Sequence, residues 1–598
     1  MGMSEDAGDP AAAKNLVAAR LAAGLVQGLA LYLLYLAADA KAWPATNGQV
    51  FAPLLFVALA SPVGFILSVG NLRLRTLILW VAGGTILVAF LGWYDIWRGW
   101  PFEWNSQTAI PRIIPDSKLF VGTCAMLFIA HALIAGGDHD RRFRAAYSTH
   151  FDVSWKLGVQ LALAFVFVVV FWGLLWLGAG LFGLVKLDFF QRLIEHRWFA
   201  IPVTALAGAG ALHITDVRPS LVRGTRTLAL VLLSWLLPLM ALIAVAFLAT
   251  LLFTGLTPLW QTRRAASLLM IAAAALTILI NATYQDGKDG GTIARPFRYG
   301  VSLSALALVP LTLLAAYALA LRVGQYGWTV DRIALACCVV VGVAYAGGYA
   351  LAVVRKGPWL HFLEICNFAV ALFGLGILFA YFSPIADPAR IAVASQVSRL
   401  EAGKVAPAKF DFPYLRWNGE RFGKAALDKL SHWSGQDANH VRHQATLARD
   451  MRFSYWNAGA MDLAATITVY PARRKLPPAF VKQFTDAKNQ DFLLPSCLRA
   501  ELVHCDAFLI DLDGDGHDEI AIVSNDGRDN PVFAQQSGGL WKQIAKLDTR
   551  AKCAPVMLAL KNGKYVLHPP SPPRFRDIEA GGQLLSIQPI GETACPKG

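Results

Sequence analysis

Between Leu16 and Phe382 the chain runs again and again for about twenty residues with scarcely a charge, and this feature limits its fold more than any other. A helix rising 1.5 Å per residue needs about 20 apolar residues to cross a hydrocarbon core about 30 Å thick. Lipid offers no partner to backbone N–H and C=O groups, so each run must satisfy them internally as a helix. Eleven runs are read: Leu16–Ala38, Val50–Val69, Leu77–Ile96, Leu119–Gly136, Leu157–Val185, Trp198–Thr215, Thr227–Thr254, Ala265–Ala282, Val301–Leu321, Ile333–Val354 and Leu360–Phe382. The fifth and seventh are long enough to tilt or to continue beyond the bilayer. The sixth is short and rich in Ala and Gly. Hydrophobic residues make up 56% of the chain and charged ones only 16%, with the charge concentrated after Phe382. The expected class is therefore an α-helical polytopic membrane protein of 11 spans with a small C-terminal α+β soluble domain. The expected layout is a short N-terminus (1–15), a transmembrane domain (16–382), a linker (383–408) and a soluble domain (409–598). Met1 to Lys14 lacks the basic start and cleavage site of a signal peptide, so the first span is expected to direct insertion and remain.

The formal charge is +14, and most Lys and Arg of the first part occupy short loops between apolar runs. That placement fits orientation in a membrane and argues against a nucleic-acid partner. One alternating set of loops holds Arg73 and Arg75; Arg141, Arg142 and Arg144; Arg218, Arg223 and Arg226; Lys288, Arg295 and Arg298; and Arg355 and Lys356. The other holds Lys41; Arg98 and Arg112; Lys186, Arg192 and Arg197; Arg263 and Arg264; and Arg322 and Arg332. The first set is richer, so the N-terminus is expected in the cytoplasm. An odd number of spans then delivers the tail to the periplasm.

Ionisable groups within lipid are costly, and each is a functional candidate. His131 falls inside the fourth run and His213 near the end of the sixth. His361 and Glu364, three apart, can share a helix face at the start of the eleventh. Asn281, Tyr284, Gln285 and Asp286 cluster where the eighth run ends. These groups suit a proton relay or a polar substrate site; the plainer reading is interfacial anchoring or interhelical hydrogen bonding. Glycines such as Gly178, Gly208 and Gly348 fit close helix packing. No phosphate loop, zinc helix or nucleophile elbow appears, and no catalytic residue is assigned.

Four stretches carry a family resemblance: S-W-L-L-P (Ser234 to Pro238), L-F-T-G-L-T-P-L-W (Leu252 to Trp260), N-A-T-Y-Q-D-G (Asn281 to Gly287) and F-D-F-P-Y-L-R-W-N-G-E-R-F-G (Phe410 to Gly423). The chain resembles the bacterial membrane proteins grouped as "domain of unknown function" 4153, to about Trp433. The resemblance implies a bacterial inner membrane and transfers no chemistry.

In the tail, Pro384 and Pro388 break the last span, and Ile391 to Glu401 can form a short helix. Lys409 to Phe422 reads as strand, turn, strand, with Asn418-Gly419 as the hairpin signal. Ala425 to Trp433 reads as a helix and Ala464 to Val469 as a strand. D-L-D-G-D-G-H-D-E (Asp511 to Glu519) suits a hard cation such as calcium, which takes six to eight oxygens. Asp511, Asp513, Asp515 and Glu519 would offer carboxylates and His517 its backbone carbonyl. An EF-hand needs Glu at the twelfth position, which here is Ile522. Apolar runs at Phe508 to Ile510 and Ile520 to Val523 instead suggest a hairpin, resembling the loop of FG-GAP-type repeats. Cys124, Cys337, Cys338 and Cys366 fall in spans and read as inert thiols. Cys497, Cys505, Cys553 and Cys595 are candidate disulfide partners in an external tail; Cys497 with Cys505 and Cys553 with Cys595 is the favoured pairing.

Three functions fit these features: a membrane-anchored binding or envelope-sensing protein with a calcium-stabilised tail, a transporter or channel using the intramembrane polar groups, and a membrane enzyme acting on lipid-linked substrates. The first is ranked highest, with lipid and an envelope protein as its partners.

Overall fold

The computed structural model describes residues 10–99, 113–256, 265–287, 295–355, 359–450, 467–472, 474–485, 496–498, 505–524, 530–536, 539–547, 554–567, 578–580 and 583–585. Among them, 11 helices are long and apolar enough to cross a membrane, and the chain is a multi-pass membrane protein. In chain order the first part contains α1 (Pro10–Asp39), α2 (Gly48–Ser68), α3 (Leu74–Arg98), α4 (Ser117–Asp140), α5 (Tyr147–Leu184), a short α6 (Phe189–Glu195), α7 (Arg197–Val217) and α8 (Pro219–Thr254). It continues with α9 (Ala265–Tyr284), α10 (Arg295–Tyr326), α11 (Val330–Val354) and α12 (His361–Tyr381). All eleven expected spans are present, including the Ala/Gly-rich sixth, which is α7. The long fifth and seventh runs become helices of 38 and 36 residues.

Small residues bring the helices together. A Cβ at Gly24 would lie 2.4 Å from Ala209 Cβ, and one at Gly348 would lie 2.1 Å from Cys366 Sγ. The α1–α7 and α11–α12 pairs therefore tolerate nothing larger there. The main buried cluster gathers residues of α8 to α12, among them Leu237, Leu276, Leu308, Tyr349 and Leu363.

Past the last span come α13 (Pro388–Glu401), α14 (Phe412–Asn418), α15 (Glu420–Leu430) and α16 (Ala438–Asp450). Two sequence expectations are corrected here. The strand–turn–strand reading of Lys409 to Phe422 gives way to two helices. Pro413 suits a first turn, Asp411 accepts the Tyr414 N–H at 3.0 Å as a cap, and Phe412 and Leu415 are buried three apart. Asn418-Gly419 is the joint between those helices. A Cβ on Gly419 would meet Leu415 O at 2.3 Å and Gly423 Cα at 2.6 Å, so close backbone approach, not a hairpin turn, requires the glycine. The expected boundary also moves. The first compact unit runs to Arg449 and the second begins at Asp450, so residues 388–449 belong with the spans. Asp387 caps α13 at Ala389 N (2.8 Å), accepts the Tyr94 hydroxyl at 2.8 Å and faces Arg98 at 3.4 Å. Arg98 also pairs with Asp95 at 3.0 Å. Gln396 donates to Trp328 O at 2.8 Å, and Tyr414 accepts the Val330 N–H at 3.0 Å. Arg421 lies 3.9 Å over the Trp97 ring.

The second unit contains β1 (Ile467–Tyr470), α17 (Pro478–Thr485), β2 (Cys505–Ile510), β3 (Glu519–Ser524), β4 (Asn530–Gln535), β5 (Trp541–Leu547), α18 (Ala554–Lys561), β6 (Ile578–Ala580) and β7 (Gln583–Leu585). The strands β1 to β5 form one sheet in sequence order, with β1 parallel to β2 and the rest antiparallel. Side chains alternate across the pleat. Cys505, Ala507 and Leu509 pack with Phe480 and Phe484 of α17, while Phe508 packs with Met557 and Leu560 of α18. The hairpin expected around the acidic loop is β2–β3, with Ile510 opposite Glu519. Cys497 and Cys505 form a disulfide, as the sequence suggested. Cys553 and Cys595 lie outside the described residues. Lys561 pairs with Asp506 at 2.8 Å, which holds its ammonium above the usual lysine range.

Candidate functional site

Polar side chains near the ends of three spans close a hydrogen-bonded ring. Asn281 of α9 donates from Nδ2 to the Tyr349 hydroxyl of α11 at 2.6 Å. That hydroxyl donates to Asn367 Oδ1 of α12 at 2.6 Å, and Asn367 Nδ2 donates back to Asn281 Oδ1 at 2.6 Å. Tyr147, the first residue of α5, adds longer contacts of 3.4 Å to both asparagines. Nothing in hydrocarbon would replace these partners, so the ring fixes three helices relative to one another and Tyr147 ties α5 to them.

Beside the ring is a cavity of about 240 Å³. One face of α5 lines it with Tyr147, His150, Phe151, Ser154 and Trp155, at the i, i+3, i+4, i+7, i+8 spacing of a single helical stripe. Glu364, Asn367, Phe368 and Ala371 of α12 repeat the pattern on the facing side. Tyr345 of α11 and Arg144, from the turn before α5, also line it. Glu364 Oε1 accepts the Tyr284 hydroxyl at 2.9 Å, and Oε2 lies 3.4 Å from His361 Nδ1. Gly287 passes directly over this pair with φ +79°, and a Cβ there would meet Glu364 Oε1 at 2.9 Å. By contrast, the hydroxyls of Tyr345 and Ser154 have no hydrogen-bond partner among the described residues.

Three guanidiniums flank this end of the bundle, each laid over a ring of the segment entering α12. Arg298 lies 5.0 Å from the Trp359 centroid, Arg355 lies 4.8 Å from Phe362, and Arg144 lies 5.9 Å from Phe368. None of the three pairs with a carboxylate among the described residues. Stacking on an aromatic face leaves the N–H edges of a guanidinium available.

The sequence candidates divide accordingly. Asn281, His361 and Glu364 are brought together, and Tyr284 joins them. Asp286 is half-buried in the turn after α9. His131 belongs elsewhere, in a mainly apolar cavity of about 280 Å³, with its ring 5.8 Å from Trp80. His213 lies beside the fully buried Arg20, at 3.3 Å. Arg20 bonds Val69 O at 2.8 Å and Asp216 at 2.5 Å, and Asp216 also takes Lys156 at 2.7 Å and Gln160 at 3.1 Å. This cluster clips α1, α5 and α7 together, and Asp216 spends its oxygens on it. Arg20, Asp216, Tyr147, His150, Tyr345, Tyr349 and Asn367 were not singled out by the sequence reading.

In the second unit, the carboxylates of Asp511, Asp513 and Glu519 converge, with one oxygen of each within 4.8 Å of the others. Gly514 and Gly516, at φ +80° and +87°, let the loop turn back on itself. Asp511 accepts the N–H of Gly514 at 2.7 Å and of Gly516 at 3.1 Å, while Glu519 is buried and accepts the Leu512 N–H at 2.7 Å. Asp515 is not one of the converging three and caps the His517 N–H at 2.7 Å. Three hard oxygen donors so close together fit a cation of the calcium class.

Residues 30–430 match the model of a family described as Domain of unknown function (DUF4153). No curated protein and no solved structure matches the chain.

Proposed function

The chain belongs to the DUF4153 family, and from that footing we propose that it is a membrane-embedded binding protein of a bacterial inner membrane. Its ligand site is the cavity between α5, α11 and α12. The observation that carries this reading is the contrast inside one small volume. The ring of Asn281, Tyr349 and Asn367 is closed on itself, whereas the Tyr345 and Ser154 hydroxyls a few residues away are left for something other than protein. Both residues are half-buried on the cavity wall, so their hydroxyls are open to a bound polar group at no loss of a protein hydrogen bond.

Depth favours binding over transport. Asn367 lies six residues into α12, roughly 9 Å from its end at 1.5 Å per residue, short of the middle of the helix. Transporter sites characteristically lie at the midplane. The loops at the cavity end belong to the more basic set, which supports a cytoplasmic cavity and, with 11 spans, a periplasmic second unit. The Cys497–Cys505 disulfide and a calcium-filled Asp511–Glu519 loop both suit that compartment. Within this reading the second unit is the module that meets an envelope partner.

Cysteine labelling tests the cavity. A small thiol reagent applied to inverted membrane vesicles is expected to modify Ser154→Cys faster than any native cysteine. Failure to react from either side of the membrane would mean a packed interior and end the proposal. For the loop, calcium is expected to raise the unfolding temperature of the full chain, and Asp511→Asn with Asp513→Asn to abolish that rise.

A further inference from the structure

We propose that the cavity takes a phosphate ester, with its phosphate on Arg144 and its donor-bearing remainder, a hydroxyl or an ammonium, directed toward Glu364. The inference rests on the binding-protein reading and adds the chemical class of the ligand.

Charge sets the polarity of the ligand. Arg144 is the cation of the cavity wall and Glu364 the carboxylate, so a fitting ligand is negative at one end and offers hydrogen-bond donors at the other. Arg144 has no carboxylate partner among the described residues, and its guanidinium carbon lies over the Phe368 ring, 5.9 Å from the centroid. A guanidinium so placed keeps N–H donors for phosphate oxygens, the anion it matches best. Arg298 and Arg355, also set over rings and without a carboxylate partner among the described residues, raise the positive potential around that end. Glu364 has one oxygen on the Tyr284 hydroxyl and the other 3.4 Å from His361, and carboxylate oxygens accept more than one donor. The Ser154 and Tyr345 hydroxyls lie on the cavity wall with Arg144 and Glu364 and can turn to either end of the ligand.

Phospholipid headgroups and free phosphate esters share this chemistry, and the bilayer supplies the former at high local concentration. The purified full chain, in a non-ionic detergent, is titrated separately with phosphatidylglycerol, phosphatidylethanolamine, monoolein and glycerol 3-phosphate, and binding is read by native mass spectrometry. Either phospholipid is expected to bind at least tenfold more tightly than monoolein, which carries no phosphate. Arg144→Gln is expected to remove that preference, a loss of about tenfold, whereas Arg75→Gln, an exposed cation outside the cavity, leaves it intact. Competition by glycerol 3-phosphate would identify a soluble ester as the ligand; binding of phospholipid alone would identify a lipid. Equal binding of monoolein and phosphatidylglycerol, or an unchanged preference in Arg144→Gln, overturns the proposal. If Ser154→Cys is nevertheless labelled, only the phosphate assignment fails; if it is not labelled, the cavity reading fails with it.

Discussion

The two ends of the membrane bundle use the same kinds of side chain to opposite effect. Where α3 and α12 end and α13 begins, Asp387 is saturated by the Tyr94 hydroxyl, Arg98 and two backbone N–H groups of α13. At the other end, tyrosines, arginines and a carboxylate again meet, but among the described residues the Tyr345 and Ser154 hydroxyls have no partner and three arginines lie over rings without an acid. A polar group in lipid is expensive, so saturation at Asp387 marks a joint, whereas the open hydroxyls at the cavity end are what the proposed ligand would use. Residue type alone does not separate the two.

Removing groups from the two ends should therefore give unequal losses. Asp387→Ala deletes a cap, strands the buried Tyr94 hydroxyl and takes an acid from Arg98, and is expected to cost about 3 kcal/mol, read as a lowered unfolding temperature. Asn367→Ala opens the hydrogen-bonded ring, with an expected loss of about 1–2 kcal/mol, the range for interhelical hydrogen bonds in membranes. A loss from Asn367→Ala as large as that from Asp387→Ala would blur the distinction by making the cavity end a joint as well. Tyr345→Phe sharpens it most, because the hydroxyl removed has no protein partner, and the expected change in stability is close to zero.

The spans were legible because lipid imposes one solution on a long apolar run. What the sequence hid was the continuation of helices past those runs. The fifth run was read from Leu157, since Asp152 and Lys156 interrupt its apolar character, yet α5 starts ten residues earlier at Tyr147. The cavity stripe from Tyr147 to Trp155 lies wholly in that missed part, although its helical spacing was there to be seen. Asp216 falls one residue beyond the sixth run, and nothing in the first run itself signals that Arg20 is buried against it. Glu364 and Asn281 stood out because each is polar at the edge of an apolar run, but their partners came from helices distant in sequence, which periodicity does not encode. The acidic loop is the reverse case: Asp511 to Glu519 carries its turn chemistry locally, and the β2–β3 hairpin followed from it. Asn418-Gly419 misled as a hairpin signal, because Asp411 and Pro413 start a helix there and the glycine serves close backbone approach instead.

Melting wild type and Tyr345→Phe side by side, with and without phosphatidylglycerol, separates a ligand-serving hydroxyl from a structural one. Without lipid the two should unfold at the same temperature, and with lipid the variant should gain less than wild type. A variant that is several degrees less stable in the absence of lipid, or that gains as much as wild type in its presence, would show that this end of the bundle is merely packed.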